Sequence, residues 1–71
     1  MTDKTIFREV FNFFTRFAQG PDPGGEAAYW LEVTAALDDL GARLSGSALA
    51  CDLTCAVFLE LERRAQEKAA G

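Results

Sequence analysis

The stretch Ile6-Phe7-Arg8-Glu9-Val10-Phe11-Asn12-Phe13-Phe14-Thr15-Arg16-Phe17 decides the fold. It holds five of the chain's six phenylalanines. At about 100° per residue, Phe13, Ile6, Phe17, Val10, Phe14, Phe7 and Phe11 fill one arc of about 160°. Lys4, Arg8, Glu9, Asn12, Thr15 and Arg16 take the opposite side. This is an amphipathic helix, expected over residues 5–18. A stripe so rich in aromatic surface has to be covered by the rest of the chain, a second copy, a partner protein or a membrane.

The ends of this helix are written in its flanks. Thr2 or Thr5 can accept a hydrogen bond from an N–H that the first turn leaves without a helical partner. Gly20 suits the left-handed position after the last turn, and Pro21 blocks continuation. Gly20-Pro21-Asp22-Pro23-Gly24-Gly25 then reads as a loop long enough to reverse direction between helices.

A second helix is expected over residues 26–44. Glu26 lies in its first turn, where a carboxylate favours the positive end of the dipole. Tyr29, Trp30, Val33, Leu37, Leu40 and Leu44 follow the spacing of a buried face, with Leu31 off that stripe. Gly41 is compatible with either an early end or a close helix crossing. After Ser45-Gly46, Ser47 is a good N-cap for a third helix expected over residues 48–68. Its first half is apolar almost all round, which calls for burial on all sides. Its charged, alanine-rich remainder, Glu62 to Gly71, is expected to fray.

These elements define one domain over residues 1–71, an all-α antiparallel three-helix bundle. The expected core is Ile6, Val10, Phe14, Phe17, Trp30, Val33, Leu37, Leu40, Leu53, Val57 and Leu61. At 71 residues, such a domain buries about 60% of the surface its unfolded chain exposes, and small domains usually need a further staple. With two cysteines and no histidine, neither a disulfide scaffold nor a zinc finger fits. Dense aromatic packing and oligomerisation remain.

Residue types that are missing narrow the chemistry. Without histidine there is no imidazole base and no Ser-His or Cys-His pair. The glycine-rich loop lacks the spacing and the lysine of a phosphate cradle. Asp38 and Asp39 diverge by about 100° on a helix and read as solvated surface rather than a carboxylate pair. Cys51 and Cys55 lie one turn apart; they read as small buried fillers rather than half of a four-thiolate zinc site. No catalytic, cofactor-binding or metal-ligating residue is therefore assigned, no cofactor is expected, and an enzyme is the least favoured class.

Net charge is −4, concentrated in residues 21–46, where Asp22, Glu26, Glu32, Asp38 and Asp39 face only Arg43. An acidic chain without a basic stripe is a poor direct binder of nucleic acid. The N-terminus lacks the basic and apolar regions of a signal peptide, and no run approaches the length of a spanning helix, so a cytoplasmic protein is expected.

Three stretches carry a resemblance: Thr5-Ile-Phe-Arg-Glu-Val-Phe-Asn-Phe-Phe, Tyr29-Trp30 with its spaced leucines, and Leu53-Thr-Cys-Ala-Val-Phe-Leu-Glu-Leu-Glu-Arg. Together they resemble small uncharacterised helical proteins of prophages and mobile elements in gut Clostridia. The resemblance implies no site residues. It keeps open a role in phage–host conflict, such as inhibition of a host defence nucleoprotein complex in the manner of an anti-CRISPR.

The leading expectation is a non-enzymatic protein–protein interaction module, a homodimer formed through the third and first helices. Leu49, Cys55, Phe58 and Leu59 are its expected exposed contacts, joined by Phe7 and Phe11. The first alternative is the mobile-element inhibitor, docking an acidic face of Glu32, Asp38 and Asp39 on a basic groove. The second is a membrane-surface amphipathic helix, disfavoured because the polar face is only weakly basic.

Overall fold

Thr2 starts the first helix by accepting from the Thr5 backbone N–H at 3.2 Å. From there the computed structural model, which describes residues 2–70, forms three helices: α1 (Asp3–Phe17), α2 (Glu26–Arg43) and α3 (Ala48–Ala70). Met1 and Gly71 belong to the expected domain but lie outside the described residues. No strand occurs among the described residues. The protein is all-helical, and its helices pack on one another. The observed ends lie within two residues of the expected ones, except that α3 does not fray at Glu62 but stays helical to Ala70.

The connections use the residues the sequence offers. Gly20 adopts φ +78°, and its N–H bonds to the Phe17 carbonyl at 3.1 Å. That left-handed conformation disfavours any residue with a Cβ. Gly46 at φ +85° plays the same part between α2 and α3. Ser47 then caps α3, its hydroxyl accepting from the Ala50 N–H at 3.1 Å.

The core is built chiefly on α1. Ile6, Val10, Phe13 and Phe17 are buried against Val33, Leu40 and Leu44 of α2 and its end, and against Ala50 and Leu61 of α3. Val33 and Leu61 are wholly inaccessible to solvent. Five residues expected in the core, Phe14, Trp30, Leu37, Leu53 and Val57, are only half-buried, at its edge. Phe13, Leu44 and Ala50 are buried instead. The centre of the α1 stripe that faces both neighbours is therefore the Phe13–Val10 side; Phe7 and Phe11 fall on its outer flank.

An aromatic chain runs through all three helices. Phe13 and Phe17 lie 5.4 Å apart between ring centroids, Phe17 and Tyr29 5.8 Å, Tyr29 and Trp30 4.8 Å, and Trp30 and Phe58 5.9 Å. The last three contacts are edge-to-face, the arrangement that sets a ring's positive edge on its neighbour's negative face.

The C-terminal end of α1 is closed by side chains from the other two helices. The Tyr29 hydroxyl donates to the Phe17 carbonyl at 2.8 Å. The Arg64 guanidinium donates to the Ala18 carbonyl at 3.2 Å, and the Lys68 ammonium to the Gln19 carbonyl at 3.3 Å. Carbonyls at a helix end have no helical N–H to accept from, and cations favour the negative end of the dipole. These ties, with Arg63 bridging Glu60 and Glu67 and Arg64 also bonding Glu60, explain why the charged half of α3 remains helical.

Candidate interaction surface

The packing of α2 on α3 is the thinnest of the three helix pairs. Between the second half of α2 and the first half of α3 it leaves an open groove of about 620 Å³. Leu37, Gly41 and Leu44 form one wall, and Cys51, Cys55, Phe58 and Leu59 the other. Ser45, Gly46 and Ser47 close the end, and Glu62 is the one charged residue lining it. Gly41 marks neither a helix end nor a close crossing. It lies inside α2, and a Cβ built there meets nothing within 4 Å. Its missing side chain keeps that wall low.

The expected interface residues divide between two places. Cys55, Phe58 and Leu59 share the groove. Leu59 is 64% exposed, whereas Phe58 is half-buried because its ring turns inward against Trp30. Leu49, also expected to be exposed, is half-buried against the core. Phe7 and Phe11 lie on α1, 53% and 56% exposed. Sequence reasoning did not place Leu37, Gly41 and Leu44 beside the α3 residues, because the groove exists only once the two helices are docked.

Cys51 and Cys55 correct an expectation. The sequence offered both as buried fillers and Cys55 also as an exposed contact; both thiols are unbridged and exposed, so neither is a buried filler. Helix α3 turns only part of its apolar circumference inward, since it meets a neighbour on two sides, and the cysteines fall on the outer wall of the groove. Nearby negative charge holds the Cys55 thiol above its ordinary range, with Cys51 the main cause, then partial desolvation and Asp52.

The acidic residues of α2 are all exposed, but they do not form one field. Asp39 accepts from Arg43 at 3.0 Å, and Arg43 also reaches Glu9 of α1 at 2.5 Å. Glu32 and Asp38 point about 120° apart around the helix. By the same step Glu32 and Asp39, two turns apart, share one face, on which Asp39 is paired with Arg43, and Asp38 stands off it.

The second hollow, of about 600 Å³, lies between the loop before α2 with the first turns of α2 and the end of α3. Pro21, Pro23 and Trp30 face Gln66 and Lys68 across it. Its mixed polar lining offers no convergent set of donors or acceptors. Among the described residues no group of three or more Cys, Asp or Glu side chains is placed to hold a metal ion, and no helix is long and apolar enough to cross a membrane.

Comparison with known proteins finds no family model, no curated protein and no solved structure that matches this chain.

Proposed function

We propose that the chain is a non-enzymatic protein–protein interaction module that pairs with a second copy of itself, covering the α2–α3 groove. In this reading the helices run antiparallel, up, down and up. The ties from Tyr29 to Phe17 near one end and from Arg43 to Glu9 nearer the other support that order.

The observation that carries the proposal is the apolar groove with Leu59 standing at its edge. The accessible surface of the single chain points the same way. It is 4772 Å², against about 4,300 Å² expected of a folded monomer of this mass. A standard pairing covers about 800 Å² on each partner, about a sixth of that surface. Two like-charged chains repel, but a contact patch whose lining holds only Glu62 as a charge keeps most of that repulsion at a distance. A twofold pairing also asks a patch to complement itself, and a low wall at Gly41 facing a projecting Leu59 suits that requirement. The proposal includes a cytoplasmic location, a reading that two unbridged, exposed thiols support because reducing compartments keep thiols free.

Leu59→Glu tests the proposal. A charge set into an apolar contact loses its water without gaining a partner. The variant is expected to sediment as a monomer while keeping its helical circular dichroism. A variant with the parent's mass and stability would refute pairing through this groove.

A further inference from the structure

We propose that Cys51 and Cys55 together form a bidentate thiolate site for copper(I) at the mouth of the α2–α3 groove. The two residues are one helical turn apart on one face, both exposed and both unbridged. Residues four apart on a helix have Cβ atoms about 5–6 Å from each other. A disulfide needs about 3.5–4.5 Å between the same atoms, so it would distort the helix. Two metal–sulfur bonds of about 2.3 Å each, the length known for zinc thiolates, span about 4.6 Å and fit the undistorted spacing.

Coordination number selects the ion. Thiolates favour copper(I) and zinc. Zinc in a structural site takes four ligands. Here two thiols stand without a third metal-binding side chain grouped with them among the described residues. Copper(I), which is stable with two thiolates in line, needs no more. No lysine or arginine lines the groove. The pair is therefore not an activated nucleophile, since no cation lines the groove to stabilise a lone thiolate. A bound cation supplies that missing positive charge. On binding, two S–H bonds break, two Cu–S bonds form and two protons leave to solvent; no electron is transferred.

The site lies within one chain, but both thiols line the groove that the proposed pairing covers, so the Leu59→Glu variant is titrated beside the parent and copper binding is read on a single chain as well as on a pair. The test is titration of the reduced full-length chain, without oxygen, using copper(I) buffered by bicinchoninate. One copper per chain is expected to transfer from the chelator and to block both thiols against a thiol reagent. Cys51→Ser and Cys55→Ser are each expected to weaken binding at least tenfold while remaining helical. Failure of the parent to draw copper from the chelator would overturn the site. So would single variants that compete as well as the parent, or one copper shared by two chains.

Discussion

Arg64 lies over the ring of Phe14, its guanidinium carbon 4.7 Å from the ring centroid, so a residue of α3 covers an aromatic that the core leaves half-buried. The same guanidinium donates to Ala18 at the end of α1 and bonds Glu60 on its own helix. One side chain thus joins a helix end, an aromatic face and a surface carboxylate. Replacing it with lysine keeps the charge and loses the planar fork that serves all three. Arg64→Lys is expected to destabilise by about 1 kcal/mol, as for loss of one charged hydrogen bond with partial compensation. Urea denaturation followed by circular dichroism measures it; an unchanged midpoint would show that the fork carries no stability.

Tyr29→Phe isolates a single hydrogen bond. The ring contacts to Phe17 and Trp30 survive the change, and only the hydroxyl that donates to the Phe17 carbonyl is lost. A loss of about 0.5–1.5 kcal/mol is expected. The same denaturation experiment reads it, and a stability equal to the parent's would mean that water replaces the hydroxyl without cost.

Gly41→Ala acts in the opposite direction. The glycine is helical and exposed, and nothing lies within 4 Å of an added Cβ. The methyl group restricts the unfolded chain and is expected to stabilise by about 0.5–1 kcal/mol. The gain is read at a concentration too low for pairing, where a fall in melting temperature would contradict it; a fall confined to the paired chain is what a second copy's side chain seated on the low wall predicts. Leu61→Ala provides the contrast: from a site with no solvent exposure, truncation is expected to cost about 2–5 kcal/mol.

Acid titration reports on Glu60. Hydrogen bonds from Arg63 and then Arg64 hold its carboxyl at about 2, below the ordinary 4.5. A carboxylate depressed by folding binds its proton more readily in the unfolded chain. Its contribution is therefore present above about 4.5 and is lost as the pH falls toward 2. Glu60→Gln is expected to flatten the stability profile in that window, with the difference reduced in high salt because the site is at the surface. Parallel profiles for parent and variant would contradict the assignment.

The amphipathic α1, the cap at Thr2, the turn at Gly20 and the cap at Ser47 were legible because each depends on neighbours within one or two turns. The centre of the core was less so. Phe13 and Phe14 share the α1 stripe, and which of them is buried depends on the angle at which α2 and α3 approach. The apolar circumference of α3 gave no direction at all: it suggested burial for Cys51 and Cys55, yet a helix with two neighbours leaves one side out. The closing of α1 by Arg64 and Lys68 was equally hidden, since it joins residues far apart in the chain. The groove combines both difficulties, with Leu37 and Gly41 from one helix meeting Leu59 from another.

The central claim, that a second copy covers the groove, is tested most directly by sedimentation equilibrium of the reduced chain across a wide concentration range. The account predicts a mass rising with concentration toward twice the 7.7 kDa of a single chain and levelling there. A mass that stays at 7.7 kDa up to high protein concentration would contradict it.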